Sequence, residues 1–323
     1  MAESDSPFAV QEDVRGPWRR YLDALAPLRP DLHRVCCRLT GNVWDGEDLA
    51  QDTLLRVFGL LGKIDADLEN PRAYLARTAT HLWIDRLRRR ARERSILEEQ
   101  RAEVGGAAPG PAPDQPAAVH DAAELLLQRL APRERAALVL KDVLDLSLEE
   151  TASMLKVSVG AVKAALHRGR GRLDGAERDT PPPGPVPSQG LVERFVQALA
   201  AKDLEALGAL CSQDLSVELV GGAELEGFAR SRPFFEHAHF VLPQLGFGTN
   251  PRWELARYLG EPVVLGFRTL DGAEGLNEVH RLEEQDGRIA RIRCYCFCPD
   301  TLRTLGEHLG VPVLRRPYRS PSG

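Results

Sequence analysis

Two stretches rich in proline and glycine constrain most strongly how this chain can fold. Residues 105–118 read GGAAPGPAPDQPAA, and residues 174–190 read DGAERDTPPPGPVPSQG. Neither stretch can sustain a helix or a central strand, because proline lacks the backbone donor and glycine loses much conformational entropy in either element. The chain is therefore expected to form a first body over 17–100, a second body over 121–173 and a third body over 191–323, with linkers over 101–120 and 174–190.

The composition is that of an ordinary globular protein with two or three domains. The 323 residues are 43% apolar and 28% charged, and a domain takes roughly 150 residues. No run approaches 18 apolar residues, which argues against a membrane partner, and the acidic N-terminus lacks a signal-peptide pattern. Six cysteines in a chain of this length do not indicate a disulfide framework, so we expect a reducing cytoplasm.

The charge is distributed unevenly along the chain. The net charge is −5, yet residues 126–173 carry nine basic against five acidic side chains, whereas the third body carries 15 basic against 18 acidic ones. The second body is therefore basic, and nucleic acid becomes a candidate partner there.

An acidic segment opens a helix in the first body. The sequence DGEDLAQD places Asp45, Glu47, Asp48 and Asp52 in the early turns, ahead of a helical apolar stripe that begins at Leu54. These acids could stabilise the positive end of the helix dipole, or they could form a docking face for a basic partner. The charges alone favour the first interpretation.

A second helix begins at Asn70-Pro71 and ends in a dense arginine run. Six arginines fall within nine residues, at positions 86, 88, 89, 90, 92 and 94. This number exceeds what the helix dipole needs, so contact with a nucleic-acid backbone is the favoured interpretation. Tyr74, His81 and Trp83 could stack on unpaired bases, although each residue taken singly is more often part of a core.

The second body has the pattern of a helix-turn-helix. Ser147 and Glu150 form a capping box at the start of a short helix, Lys156-Val157 turns the chain, and Ser158 caps a further helix over Val159–Leu173. The apolar residues Val159, Val162, Ala165 and Leu166 are expected to hold that helix down. The opposite face, with Ala161, Lys163, Ala164, His167 and Arg168, would meet DNA.

The third body is predicted to begin with helices and continue with strands. The predicted elements are helices over Leu191–Ala201 and Leu204–Cys211 and strands over Pro262–Thr269, Leu276–Leu282 and Arg288–Phe297, with turns at Asp271-Gly272 and Asp286-Gly287. No catalytic acid–base pair is identifiable, since Asp214, Glu218 and Glu278 are what a solvated surface supplies.

Three alternating cysteines close the predicted last strand. Cys294, Cys296 and Cys298 would share one face, with His237, His239 and His280 as further candidate metal ligands. Packing is the favoured role, because zinc sites more often use C-x₂₋₄-C spacing and cysteine is among the most buried residue types. Metal binding or redox sensing remains the alternative. We assign no metal, no cofactor and no catalytic residue.

Three blocks of the first two bodies read DGEDLAQDTLLRVF, NPRAYLARTATHLWIDRLRRRAR and LAPRERAALVLKDVLDLSLEETASMLKVSVGAVKAALHRGRGRL. Together they resemble the two domains of extracytoplasmic-function (ECF) sigma factors, which are small members of the sigma-70 family. The resemblance implies a region 2 helical bundle and a region 4 helix-turn-helix. It also implies binding to core RNA polymerase, at the β′ clamp helices and the β flap, and to double-stranded and melted promoter DNA.

The resemblance assigns residues to each contact. Core polymerase would be bound by Asp45, Glu47, Asp48, Gln51 and Asp52, here called the acidic face. The −10 element would be melted and read by the loop over Gly62–Glu69 and by Asn70, Arg77, His81, Asp85, Arg86, Arg88 and Arg89. The −35 element would be read by Ser158, Val159, Gly160, Ala161, Lys163, Ala164, His167, Arg168 and Arg170. The family often has Thr and Ser where this chain has Ala161 and Ala164.

The third body resembles the SnoaL-like cone-shaped α+β fold, which in some ECF sigma factors replaces a separate anti-sigma protein. This likeness implies a multidomain protein of two all-α sigma domains followed by an α+β regulatory domain that contacts the sigma domains. The third body's acidic surface would reach the basic faces of the other two bodies. The function expected is promoter-specific transcription initiation, without enzymatic activity. The alternatives are a helix-turn-helix regulator with a ligand-sensing domain and a SnoaL-like enzyme tethered to DNA.

Overall fold

The computed structural model describes residues 25–61, 70–104, 130–174, 186–240 and 249–314. The loop over Gly62–Glu69, to which the family resemblance assigns a −10 role, lies outside these residues. Within them, no helix is both long and apolar enough to cross a membrane.

The first body is a bundle of three helices. They are α1 (Arg29–Thr40), α2 (Val43–Leu61) and α3 (Pro71–Val104). Gly41 ends α1 in the left-handed conformation, with φ of 84°, which glycine adopts without steric cost. The apolar faces meet in a core that includes Leu39, Leu49, Leu75 and Trp83.

The second body contains the predicted helix-turn-helix. Its elements are α4 (Pro132–Leu138), a π-helical turn over Val139–Val143, α5 (Leu148–Leu155) and α6 (Val159–Asp174). The predicted capping box is confirmed: Glu150 N donates to Ser147 Oγ over 3.0 Å, and Ser147 N donates to Glu150 Oε2 over 2.8 Å. Lys156, with φ of 54°, turns the chain between the two helices.

The first two bodies are packed together around one apolar core. Leu138, Leu140 and Val162 of the second body belong to the same buried cluster as Leu39 of the first. The buried Arg135 guanidinium donates to the carbonyl of Thr40 at the end of α1. Residues predicted to form two separate bodies thus form a single compact unit.

The third body has the expected α+β architecture. Its elements in chain order are α7 (Gln189–Ala201), α8 (Leu204–Leu210), β1 (Cys211–Leu219), β2 (Glu224–Glu226), α9 (Phe228–Phe240), β3 (Thr249–Tyr258), β4 (Glu261–Leu270), β5 (Ala273–Gln285), β6 (Arg288–Cys294) and α10 (Pro299–Leu309).

The described strands form one six-stranded mixed sheet in the order β2-β1-β6-β5-β4-β3. β1 and β6 pair in parallel, and the other neighbours are antiparallel. The predicted turns are confirmed, because Asp271-Gly272 and Asp286-Gly287 have the two positive φ angles of a tight hairpin. The last strand was predicted too long: it ends at Cys294, not Phe297.

The sheet has an apolar core on each face. One core packs α7 and α8 against the sheet and includes Phe195, Leu199 and Ile292. The other lies near α10 and includes Tyr295 and Leu305, together with Val43 and Trp44 of the first body. The first and third bodies therefore share a core, which fixes how the third body sits on α2.

Candidate functional site

One exposed face of α3 carries much of the set predicted for the −10 element. Arg77, His81, Asp85 and Arg89 recur every four residues and are all exposed, so they lie on one helical stripe. Asn70 caps the helix, since Ala73 N donates to its Oδ1 over 3.0 Å. Of the aromatic residues considered for base stacking, the structure buries Trp83 in the core and half-buries Tyr74.

Arg86 turns away from that stripe towards α2. Its guanidinium forms an ion pair with Asp52 and donates to the carbonyl of Asp48 over 3.4 Å. Arg88 instead forms an ion pair within α3, with Asp85 at 3.4 Å. The arginine run therefore splits, with Arg86 bracing the two helices and Arg89 facing solvent.

The recognition helix α6 is held down on one side and open on the other. Val162, Ala165 and Leu166 are buried as predicted, whereas Val159 is only half-buried. Ser158 caps the helix through a 3.2 Å bond from Ala161 N. The exposed residues are Ser158, Gly160, Ala161, Lys163, Ala164, His167, Arg168 and Arg170.

The arginines of α6 form ion pairs within the second body. Arg168 and Arg172 flank Glu134 at 3.1 and 2.7 Å, and Arg170 pairs with Asp142 at 2.7 Å. The three arginine side chains are more than half exposed. Only the Arg170–Asp142 pair is exposed on both sides and contributes at most about 1 kcal/mol, whereas Arg168 and Arg172 neutralise the buried Glu134 carboxylate.

A cleft of about 450 Å³ separates α3 from the helix-turn-helix. Its mostly apolar walls include Trp83 and Leu87 from α3 and Ala161, Ala165 and Arg168 from α6. Both helices predicted to read the −10 and −35 elements therefore contribute residues to one cleft.

The acidic face of α2 is partly covered by the third body. Glu47 is fully buried, Asp45, Asp48 and Gln51 are half-buried, and Asp52 is exposed. Asn42 caps the start of α2: its Oδ1 accepts from Asp45 N over 2.7 Å, and its Nδ2 donates to Asp45 Oδ2 over 3.0 Å. The face is thus gathered on one helix as predicted, but much of it does not meet solvent in this arrangement.

Arg293 of β6 is the main ionic contact to this face. It holds Glu218 of its own body through two bonds of 2.8 and 3.0 Å, and it reaches Asp48 at 2.7 Å. Burial raises the pKa of Asp48 above its ordinary value, although Arg293 opposes that rise. The third body was expected to bring acidic residues to basic faces; at this point the reverse holds, because Arg293 meets an acidic helix, whereas Asp300 meets Arg29 of α1.

A buried ionic cluster lies beside this contact. Arg29 of α1 forms ion pairs with Glu47 of α2 and with Asp300 of α10. Thr301 Oγ1 donates to Glu47 Oε2 over 2.7 Å. Burial would raise the pKa of Glu47, but Arg29 and hydrogen bonds from Gln51 and Thr301 lower it by more, so that the pKa stays below its ordinary value and the carboxylate is charged.

His33 completes the cluster from α1. Its Nε2 lies 3.1 Å from Thr301 Oγ1 and 3.4 Å from Glu47 Oε2. Burial lowers the pKa of His33 below its ordinary value, outweighing the nearby Glu47 carboxylate that raises it. His33 is therefore held neutral where the first and third bodies meet.

The apolar part of the contact is centred on Trp44 at the start of α2. Its ring lies 4.7 Å from the Tyr295 ring and 5.7 Å from the Tyr258 ring, centroid to centroid. The indole Nε1 donates to Glu261 Oε2 over 3.2 Å. Trp44 is only 5% exposed, so its side chain is buried chiefly by the third body.

A glycine turn lets the third body approach Gln51. Gly221 has φ of 82°, and a Cβ built on it would lie 2.9 Å from the Gln51 amide. Gln51 Nε2 also lies 3.6 Å from Cys298 Sγ. The turn after β1 and the segment after β6 therefore bracket the same side chain of the acidic face.

The carboxylates and cysteines of the third body differ from the prediction. Glu278 is buried instead of solvated, and Glu218 is tied to Arg291 and Arg293; Asp214 is exposed as expected. The three cysteines do not share one face, because β6 ends at the first of them: Cys294 lies beside Glu278, whereas Cys298 lies beside α2. His237 and His239 fall within α9, and their side chains lie outside what the structure describes.

Comparisons with known proteins bear on both sigma-like blocks. The family described as Sigma-70 region 2 matches residues 25–93, and the family Sigma-70, region 4 matches residues 120–173. The RNA polymerase sigma-E factor of Streptomyces avermitilis is 37% identical over 148 residues, which span 44% of this chain and 76% of that protein. The chain belongs to the ECF sigma factors of the sigma-70 family.

Two further relatives extend beyond the sigma blocks. The probable ECF RNA polymerase sigma factor SigI of Mycobacterium tuberculosis is 24% identical over 313 residues, covering 94% of this sigma factor and 99% of SigI. The crystal structure of the extracytoplasmic function sigma factor SigJ of M. tuberculosis is 22% identical and covers 84% of this chain and 95% of that one, with a TM-score of 0.32. The chain spans about 55% of the length of the first curated relatives it matches.

Sequence reasoning missed the residues with which this sigma factor joins its first and third bodies. Trp44, Arg29 and His33 lie in the first body, and Arg293 and Thr301 lie in the third. A buried arginine or histidine carries no distinctive local pattern. The one available signal is Trp44, a large aromatic residue directly before an acidic helix turn.

Proposed function

We propose that this protein is a promoter-recognition subunit of bacterial RNA polymerase whose third body holds it inactive. In the active form, the acidic face of α2 binds core polymerase, the exposed stripe of α3 reads the −10 element and α6 reads the −35 element. The third body acts by contact and not by catalysis.

The observation that carries the proposal is the cover over α2. Three of the residues expected to bind polymerase are engaged by the third body: Glu47 by Thr301, Asp48 by Arg293 and Gln51 by Cys298. A protein surface cannot make these bonds and dock on polymerase at the same time. Core binding therefore requires the third body to leave α2.

The cleft between α3 and α6 supports the same conclusion. The −10 and −35 elements are about 25 base pairs apart, or roughly 85 Å at 3.4 Å per base pair. In this arrangement residues of α3 and α6 line one cleft of about 450 Å³. The two helices cannot reach both elements until the first and second bodies separate.

Tethering makes the closed arrangement easy to populate. A linker over 174–190 keeps the third body near the sigma domains, and a proline-rich chain extends about 3 Å per residue. The effective concentration is then of millimolar order. A contact too weak to hold two separate proteins together can therefore keep this one closed.

The proposal is tested with full-length variants in core-binding and run-off transcription assays. Arg293→Glu places a negative charge between Asp48 and Glu218, and we expect tighter core binding and more transcript. Arg288→Glu is the matched control, because Arg288 is exposed on the same strand and, among the described residues, donates to backbone carbonyls of its own body, at Ala209 and Cys211.

Three outcomes are informative. Tighter core binding and more transcript for Arg293→Glu alone support the proposal that the third body inhibits by covering α2. Equal activity for wild type and both variants removes the inhibitory role, whereas loss of transcription with Arg293→Glu assigns the third body a bracing role in the active form. Failure of wild type and both variants to bind core polymerase refutes the sigma-factor proposal itself.

A further inference from the structure

Three side chains from adjacent strands converge inside the third body. Glu278 and His280 are two residues apart on β5 and so lie on one face, and the register sets His280 opposite Cys294 of β6. His280 Nε2 lies 3.1 Å from Glu278 Oε2, and Cys294 Sγ lies 3.8 Å from the same oxygen. The three atoms all lie within 4.8 Å of one another.

These distances suit a single metal ion. With bonds of 2.0–2.3 Å in tetrahedral geometry, two ligands of one zinc ion are roughly 3.3–3.8 Å apart. The set of one thiol, one imidazole and one carboxylate is a zinc set by its chemistry. We propose that Glu278, His280 and Cys294 bind a zinc ion, with Cys296 as the fourth ligand.

Cys296 is placed to complete the site and to admit the ion. It follows Cys294 by two residues, just beyond the end of β6, and would swing towards the three converging ligand atoms to bind. Cys296 is only partly buried, whereas Cys294 is fully buried. An ion arriving from solvent would therefore meet Cys296 first and the buried ligands next.

The surroundings orient Glu278 for this role. Arg268 Nε and Nη2 donate to Glu278 Oε1 over 3.2 and 3.0 Å, which leaves Oε2 turned towards His280 and Cys294. Gly266 lies opposite Glu278, and a Cβ there would approach Glu278 Cγ to 2.5 Å. Outer partners that fix a ligating carboxylate are typical of metal sites.

The charges of the loaded site balance. The two positive charges of zinc and the one of Arg268 match the Glu278 carboxylate and the thiolates of Cys294 and Cys296. Binding forms two zinc–sulfur bonds, one zinc–nitrogen bond and one zinc–oxygen bond. Each thiol releases one proton to water, and no electron is transferred.

His280 also indicates that the hydrogen bonds of the cluster are incomplete. Among the described residues, its Nδ1 has no hydrogen-bond partner, although the side chain is 1% exposed. An unsatisfied buried polar group costs about 1–3 kcal/mol.

The test uses Co²⁺ as a spectroscopic probe for zinc on the full-length, chelator-treated protein. We expect one equivalent to give a sulfur-to-cobalt charge-transfer band, release of about two protons, and loss of the band on adding Zn²⁺. Cys294→Ser should abolish the band. Cys211→Ser, a buried cysteine on another strand of the same body, and Cys37→Ser, beside His33 in the first body, should keep it.

Zinc X-ray absorption on the wild type keeps the proposal falsifiable if Cys294→Ser does not fold. A first shell with two sulfurs at about 2.3 Å and two nitrogen or oxygen ligands supports the site. A shell of nitrogen and oxygen only, a band that survives Cys294→Ser, or a band lost with Cys37→Ser overturns it. Neither measurement involves polymerase or promoter DNA, so the outcome is independent of the regulatory proposal.

Discussion

Replacing Trp44 by alanine should open the protein without unfolding the first body. Trp44 belongs to the apolar cluster built mainly by the third body, which includes Tyr258 and Tyr295. The core of the first body is a separate cluster with its own tryptophan, Trp83. Loss of the Trp44 side chain therefore weakens the contact between bodies and leaves the helical bundle its own core.

The expected magnitude follows from the burial of the ring. Trp44 is 5% exposed, and truncating a buried tryptophan to alanine costs about 3–5 kcal/mol. At roughly 1.4 kcal/mol per tenfold, the closed form loses at least about two orders of magnitude in population relative to the open form. If the closed form dominates in wild type, the apparent affinity for core polymerase rises by a similar factor, up to the intrinsic affinity of the open form.

The assay is a titration of labelled full-length protein with core polymerase, with circular dichroism to verify folding. Leu55→Ala is the matched control, since Leu55 lies on the same helix and is 60% exposed. We expect tighter binding for Trp44→Ala and no change for Leu55→Ala. Unchanged affinity for a folded Trp44→Ala protein would refute the reasoning, and an equal gain for both variants would show that the effect is not specific to the contact.

Three further predictions follow from individual side chains. Lys163→Ala should weaken binding to a −35 duplex by about 1 kcal/mol and lower the salt dependence by about one phosphate, whereas an unchanged salt slope would mean that α6 faces elsewhere. Asp52→Lys should weaken core binding by roughly 1 kcal/mol without opening the third body, since Asp52 is exposed; equal affinity in a pull-down contradicts this assignment. Because the closed form holds His33 neutral with a lowered pKa, its contribution to closure is present above the ordinary histidine pKa of about 6.5 and is lost as pH falls below it. Core binding measured from pH 7.5 to 5.5 should therefore strengthen on acidification in wild type, and the part of that change due to His33 should be absent in His33→Gln.

The sigma domains could be predicted from sequence because their signals are local. The Ser147–Glu150 capping box, the turn at Lys156 and the cap at Ser158 each lie within a few residues of the feature they determine. The hairpin turns at Asp271-Gly272 and Asp286-Gly287 are of the same kind. The turn at Leu259-Gly260 has the same backbone angles, with φ of 51° and 83°. It could not be predicted, because leucine is not typical of a left-handed conformation.

The contact between the bodies could not be predicted, because it depends on residues far apart in sequence. The net charge of the third body is an average over its whole surface, and it does not reveal that Arg293 faces α2. The alternate spacing of the three cysteines likewise predicted that they share one face of a strand. That prediction was wrong because β6 ends at Cys294, which the sequence does not show. The roles of Glu278 and Cys298 then follow from tertiary placement alone.

The way charges are paired explains how such a contact can be reversible. Three charged residues at the contact between the bodies have a partner in their own body: Arg293 has Glu218, Glu47 has Arg29, and Asp300 has Arg303. Asp48, the partner of Arg293 across the contact, is already partly exposed and meets water on opening. When the third body leaves α2, each of Arg293, Glu47 and Asp300 therefore keeps one charged partner. This avoids the large free-energy cost of leaving a buried charge uncompensated.

The free energy that keeps the protein closed must then come chiefly from its apolar part. A buried ion pair gains little over its hydrated state, whereas covering a large aromatic ring gains roughly 25 cal/mol per Å². In this sigma factor the ring is Trp44, at the first turn of the helix that carries the acidic face. A competitor for that helix has to displace the aromatic contact, while the ionic contacts mainly fix where the third body sits.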